Sequence, residues 1–272
     1  MYYSQDKLEK LQKDLIGILD YVKDICEKNK LQYLLIGGTA LGARRHEGFI
    51  PWDDDIDIGL PRDDYEKLLI ILRKNEDNFV LQDENNEPNY FCPFAKVRKL
   101  GTVFKEKISL GLYKNNGIYI DIFPIDFLSS RSSFKTIFRI CNIKLLNHAL
   151  RFRYCKSSYY EASLIKIIIH WALYLPFIFI SRKQILKLLK INMTSQNMNI
   201  KKYAANLAGT NKIRNEIMDY RTMFPVEKIK FGENLYSCPR DIDQYLYNLY
   251  GDFMKLPPKE KRRTHEPLEI KL

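Results

Sequence analysis

The residues best able to do chemistry lie in one run, Gly48-Phe49-Ile50-Pro51-Trp52-Asp53-Asp54-Asp55-Ile56-Asp57-Ile58-Gly59. Side chains alternate along an extended chain, so Asp55 and Asp57 share one face while Ile56 and Ile58 share the other. If the extension starts at Trp52, Asp53 joins the acidic face and Asp54 lies opposite. Carboxylates crowded on one face repel one another and raise their own pKa values unless a cation sits among them. Hard divalent ions such as Mg2+ or Mn2+ take oxygen ligands and suit that arrangement. A further acid interrupts an apolar stretch, Ile118-Tyr119-Ile120-Asp121-Ile122-Phe123, where an unpartnered carboxylate is costly to bury. On neighbouring strands, Asp55, Asp57 and Asp121 would make a metal site for phosphoryl-type displacement. The plainer alternative is a DxD in a turn or on a solvated surface, with Asp121 bonding a loop. Spacing alone favours neither.

Groups suited to phosphate accompany these acids. Gly37-Gly38-Thr39 follows the apolar run Tyr33–Ile36 and opens a helix expected over 39–46. The N–H groups and dipole at such a helix start favour an anion, although paired glycines often only make a turn. Arg44, Arg45 and His46 stand between this turn and the aspartates, and Lys96 and Arg98 alternate on a strand ahead of Asp121. Singly each reads as a surface charge; together they supply phosphate-binding donors beside a metal site.

The elements that must hold these groups follow from periodicity. Leu8, Leu11, Leu15, Ile18, Leu19, Val22 and Ile25 recur at helical spacing and predict a helix over 5–30. Strands are expected at 55–60, 78–82, 94–99, 102–105 and 117–123. Helices are expected at 63–73, 131–156, 182–191 and 241–250, with a charged tail after Pro257-Pro258. No repeat or long linker interrupts them. The fold class is α+β or mixed α/β around one central sheet.

The 272 residues carry a net charge of +11, and it is unevenly placed. Residues 131–202 hold 14 Lys and Arg against the single acid Glu161, giving +13, while the other 200 residues sum to −2. Such a block points to an anionic surface, phospholipid or nucleic acid. Phe134, Ile137, Phe138, Cys141, Leu145 and Ala149 form an apolar stripe at helical spacing, with Arg131, Lys135 and Arg139 outside it. Lys183, Lys187 and Lys190 flank Ile185, Leu186, Leu188 and Leu189 in the same style. The apolar stretch between them, 164–180, has 17 residues and contains Lys166, His170 and Pro176. A span needs roughly 20 apolar residues, so this stretch is expected to lie in the membrane interface. Helices covering the sheet, with solvated charges, explain the stripes equally well but not the scarcity of acids. Tyr159, Tyr160, Trp171 and Tyr174 interleave with the charges and could stack on bases. The apolar bulk around them argues against a solvated RNA face, and no nucleic-acid partner is expected. The five cysteines form no CxxC, their number is odd, and a reducing compartment is implied. The first fifteen residues hold no apolar core of a secretory signal. GxSxG, HExxH and P-loop patterns are absent.

The order strand, Gly-Gly, helix, DxD strand, strand with a third Asp resembles the nucleotidyltransferase superfamily. The stretches GGTALGARRHEGFIPWDDDIDIGLPRDDYEKL, YIDIFPID and YLYNLYGDFMKLPP resemble, more specifically, the LicD family of phosphocholine transferases. Fukutin-related ribitol-phosphate transferases look like distant relatives. The likeness covers about 31–72, 94–126 and 225–267. It implies a nucleotidyltransferase-type mixed sheet flanked by helices, with a basic helical appendage. Residues 1–130 would then be the catalytic core, 131–202 a basic amphipathic insertion at a membrane surface, and 203–272 the acceptor side of the catalytic unit. It further implies metal binding by Asp55, Asp57 and Asp121, with Asp53 close by. Gly37, Gly38 and Thr39 would lie under the phosphates of a CDP-linked alcohol, while Arg45, His46, Lys96 and Arg98 match recurrent polar positions. Asp53 and Asp121 are both candidates for the acceptor proton, and Asp126 for a structural role at the turn after Pro124. Tyr250-Gly251-Asp252 and the tail Lys261–His265 would face the acceptor, a lipid-linked or polymeric glycan. The expected product is a phospho-alcohol, phosphocholine foremost, on that glycan with release of CMP, made on the inner face of the cell membrane. A DxD glycosyltransferase using nucleotide sugars and an enzyme transferring the nucleotide itself are the alternatives.

Overall fold

The computed structural model describes residues 4–74, 78–107, 111–155, 163–197, 201–209, 213–262, 264 and 267–272. Helix α1 (Gln5–Lys28) buries all seven of its periodic apolar residues and lies against two central strands, β4 (Ala95–Lys99) and β6 (Tyr119–Leu128). The main sheet runs β1 (Leu34–Leu35), β2 (Asp57–Pro61), β6, β4, β3 (Phe79–Gln82). Beside the second half of β6 stands β7 (Tyr203–Asn206), followed outward by β8 (Met218–Asp219). Only β2 and β6 are parallel among these neighbours; the architecture is a mixed α+β sheet flanked by helices.

Helix α2 (Gly37–His46) connects β1 to the acidic loop, and α3 (Arg62–Leu72) leaves the end of β2. The expected α2 started at 39. It starts at Gly37, so both glycines lie in its first turn. Strand β6 runs five residues past the expected 123, straight through Pro124. The Asp121 N–H donates toward β2, to Ile56 O at 2.9 Å, so alternation sends the missing Pro124 N–H to the opposite side. There the pairing with β4 has ended at Ile122 and that with β7 begins at Ile125. The proline falls in a gap between partners, where it removes no ladder bond. Four residues of the ridge under this strand, Ile56, Ile58, Ile120 and Ile122, are fully buried.

Residues 131–202 are largely helical among those described: α4 (Phe134–Tyr154), α5 (Leu164–Tyr174) and α6 (Arg182–Thr194). Helices α4 and α6 pack on each other, and α6 touches β6. Arg139, expected outside the apolar stripe, is instead buried. It donates to the carbonyls of Asn192, Met193 and Phe127, and burial lowers its pKa to about 10. Arg182 likewise donates to Tyr90 O at 2.6 Å, and Arg153 to Tyr174 Oη at 2.9 Å. Part of the basic block therefore caps carbonyls inside the fold. The expected stripe on α4 divides: Ala149 is buried and Leu145 half-buried, whereas Phe134 is 83% and Phe138 60% exposed. Helix α5 leaves Leu164, Ile165, Ile168 and Ile169 at 51% to 78% exposure, and Phe179 beyond it at 97%. Among the described residues no single helix is long and apolar enough to cross a membrane. Tyr159, Tyr160, Glu161 and His265 lie outside the described residues.

Short elements complete the chain: α7 (Ile213–Glu216), α8 (Tyr220–Met223), the hairpin β9 (Glu227–Phe231) with β10 (Asn234–Cys238), and α9 (Ile242–Tyr250). The charged tail ends in β11 (Glu269–Lys271), which pairs with β5 (Val103–Lys105).

Candidate active site

The parallel register of β2 and β6 sets Asp57 opposite Asp121, with Ile58 opposite Ile122 on the buried side. Regular strand begins only at Asp57, yet burial already alternates upstream. Asp53, Asp55 and Asp57 are partly buried, and Asp54 and Ile56 fully so. The acidic loop is fixed from both sides. Gln12 Nε2 of α1 donates to Asp53 O at 2.9 Å, and the Asp57 N–H donates to Thr39 Oγ1 at 2.9 Å. Two strands and one loop thus converge their acids on the start of α2.

Gly37 is required there for two reasons. Its φ of +56° is left-handed, and a Cβ would stand 3.3 Å from Asp57 Oδ2. A Cβ on Gly38 would stand 3.3 Å from Asp53 Oδ2. The Gly37 N–H donates to Tyr245 Oη of α9 at 2.9 Å, which anchors the helix end. The N–H groups of Gly38 and Thr39, in the first turn, have no intrahelical acceptor.

Burial, then Asp55, Asp121 and Asp53 in that order, hold the Asp57 carboxyl well above the usual carboxylate range. Asp121 is also raised, first by burial, although Lys96 opposes the shift. Lys96 sits opposite Asp121 on β4, with its Nζ 2.6 Å from Asp121 Oδ1 and 3.5 Å from the Tyr119 ring centroid. Lys96 opposes the raised pKa of Asp121, and the neighbouring carboxylates still hold Asp57 above the usual range. An all-carboxylate donor set of this kind fits a hard divalent cation. Among the described residues no three acidic, His or Cys side chains already stand in coordinating geometry.

The other expected residues separate. Arg98 is buried, donating from Nε to Gln82 Oε1 at 2.7 Å and from Nη1 to Gly117 O at 2.6 Å. Arg45 donates to His46 Nε2 at 2.9 Å and to Phe253 O at 2.6 Å, which ties the end of α2 to the residues after α9. Asp126 is fully buried and bonds Arg62 of α3 and Asn197 rather than a turn. Trp52 is half-buried against the core with Arg262 over its ring, 4.6 Å from the centroid.

Residues 30–167 match the profile of the LicD/FKTN/FKRP family, nucleotidyltransferase domain. The chain belongs to this family. It is 28% identical over 265 residues to the lipopolysaccharide cholinephosphotransferase LicD of Haemophilus influenzae, covering 92% of each chain. It is also 46% identical over 44 residues to human ribitol 5-phosphate transferase FKRP, a segment of 16% of this chain and 9% of that protein. An uncharacterized protein of Rickettsia prowazekii, RP689, matches at 42% over 67 residues, 24% of this chain and 25% of that one.

Two residues beside the cluster, Tyr245 and Glu106, escaped the sequence reading, while Tyr250 was expected toward the acceptor. Tyr245 bonds Gly37. Tyr250 places its hydroxyl 3.9 Å from where a Gly37 Cβ would be, and burial, Glu216 and Asp57 raise its pKa. Glu106 bears on both Asp121 and Tyr119. Tyr245 lies in an amphipathic helix, where it reads as an ordinary packing residue. Glu106 follows β5 and carries no motif.

Proposed function

We propose that the chain transfers a phospho-alcohol group, phosphocholine foremost, from a CDP-linked donor to a hydroxyl of a cell-surface glycan, releasing CMP. The observation that carries this reading is the β2–β6 register, Asp57 against Asp121 at the glycine-opened end of α2. It occurs in a chain aligned along 92% of its length with a cholinephosphotransferase. The fold is then of nucleotidyltransferase type, and the acceptor a lipopolysaccharide, teichoic-acid or capsule precursor.

In this reading the Gly38 and Thr39 N–H groups hold the diphosphate, and Gly37 leaves room for it. The acceptor oxygen attacks the phosphorus bearing the alcohol, the bond from that phosphorus to the bridging oxygen breaks, and CMP leaves with the electron pair. The acceptor proton passes to Asp53 or Asp121. Asp55, Asp57 and Asp121 would hold Mg2+ or Mn2+, which supplies charge neutralisation to the phosphates when bound. Lys96 favours the ionised form of Asp121 and holds its carboxylate in place. Positioning and electrostatics supply the acceleration, because the diphosphate is already an activated leaving group.

The enzyme works as a peripheral protein on the inner face of the cell membrane. The exposed apolar residues of α4 and α5, in a segment of +13 charge, support that location.

Incubating the purified chain with CDP-choline, Mg2+ and a glycan acceptor tests the reaction, with products read by mass spectrometry. CMP and a glycan heavier by phosphocholine are expected, both lost in EDTA. Pyrophosphate release from a nucleoside triphosphate would instead assign nucleotide transfer, and nucleoside diphosphate from a nucleotide sugar would assign glycosyl transfer.

A further inference from the structure

Outside the carboxylate cluster, two clefts lie along α4 with Lys144 lining both. The inner one, about 290 Å³, is walled by Cys92 and Phe94 on one side and by Lys144, His148 and Arg151 on the other. Those three lie at i, i+4 and i+7, one helical face. The outer cleft, about 310 Å³, shares Lys144 and adds Arg131 and Arg214. No Asp or Glu lines either cleft among the described residues. The side chains of Arg131, Lys144, Arg151 and Arg214 make no hydrogen bond or ion pair among the described residues, unlike Arg139, Arg153 and Arg182 of the same segment. Cations that structure the fold are spent on carbonyls. These four face an open groove.

The ends of the groove give it a direction. At the inner end the Phe94 ring meets Phe123, two residues along β6 from Asp121, with centroids 4.3 Å apart and planes tilted by 36°, and Lys96 Nζ lies 5.5 Å from the Phe94 centroid. At the outer end, Ile137 and Cys141 line the groove and belong to the same α4 surface as exposed Phe134 and Phe138. Phe94 thus links the inner cleft to the strand that carries Asp121, while the outer cleft ends at an exposed apolar surface.

We propose that this groove seats a phosphate group of the acceptor, with Lys144 and Arg151 as its nearest ligands, and that it selects phosphorylated over neutral glycans. The proposal rests on the transfer reading above for the word acceptor, and on the groove alone for the phosphate. The donor diphosphate has its own N–H groups at α2, whereas a four-cation groove leading away from them suits a second anion. That phosphate belongs either to the glycan itself or to its lipid carrier.

The test uses the full chain and three probes: inorganic tripolyphosphate, CDP-choline, and phosphatidylcholine vesicles with or without phosphatidylglycerol. Lys144→Ala/Arg151→Ala should weaken tripolyphosphate binding by about 10–100-fold. CDP-choline affinity should stay within about twofold, as expected for residues outside the donor site. Lys144→Arg/Arg151→Lys should retain most of the binding. Both side chains are exposed, so these variants keep the fold. Unchanged tripolyphosphate affinity overturns the proposal, and an equal loss of CDP-choline affinity overturns it by giving the groove to the donor. If binding to phosphatidylglycerol vesicles survives the alanine pair, the phosphate is the glycan's; if it falls in parallel, the phosphate is the lipid carrier's. Tripolyphosphate binding that depends on Lys144 and Arg151, in a chain that neither binds nor turns over CDP-linked alcohols, would uphold the phosphate site while removing the donor assignment.

Discussion

Strand β6 carries two aspartates five residues apart, and the structure gives them opposite roles. Asp126 accepts Arg62 Nε at 2.9 Å and Asn197 Nδ2 at 2.7 Å on one oxygen, and Arg62 Nη2 at 2.6 Å on the other. Its side chain is 0% exposed and that of Arg62 is 8% exposed, so the pair pins α3 to β6 away from solvent. Asp126→Ala leaves a buried guanidinium whose remaining carboxylate partner among the described residues is Glu66, 3.5 Å away and partly exposed. Removing one partner of a buried pair costs about 3–5 kcal/mol. At about 2–4 °C per kcal/mol for a chain of this size, the melting temperature should fall by roughly 6–20 °C. Turnover per folded molecule, measured well below that transition, should stay within about threefold because Asp126 faces α3 and not the carboxylate cluster. Asp126→Leu combined with Arg62→Met should recover much of the loss, since an apolar pair of similar volume needs no countercharge. Differential scanning fluorimetry and CDP-choline turnover on the same preparations read both quantities. A fall below about 3 °C, or abolished turnover in a folded Asp126→Ala protein, would refute the argument.

Asp57→Asn should show the reverse pattern: turnover lower by about 100-fold or more, and a melting temperature in EDTA equal to or above wild type, because a crowded charge has been removed. Gly37→Ala forces a side chain into left-handed backbone against Asp57; a stability cost of about 1–2 kcal/mol in urea titration should accompany at least a tenfold fall in turnover. Replacing Phe134, Phe138 and Phe179 with Ser should release the chain from anionic vesicles in sedimentation at physiological salt while leaving its melting temperature unchanged. Equal, negligible sedimentation of the wild type would remove the membrane location.

Much of this protein is decided locally. The α1 stripe, the alternation from Asp53 to Ile58 and the apolar frame of Asp121 were legible because helix and strand periods are properties of the chain alone. So was the shared face of Asp53, Asp55 and Asp57, although spacing alone did not separate a metal site from a solvated turn. The roles of the cations were not legible. Lys96 and Arg98 look alike two residues apart on β4, yet one pairs with Asp121 and the other with Gln82 and Gly117 O. Arg131 and Arg139 both read as charges outside the apolar stripe; one lines an open groove and the other is buried on the end of α6. Tyr245 lies 208 residues from the Gly37 N–H it accepts. A long side chain takes its partner from whatever element packs against its own, so its role is set by tertiary contacts at large sequence separation. The strand that carries Asp121 was fixed by its own pattern; what stands beside Asp121 was fixed only when β2 and β4 closed on either side.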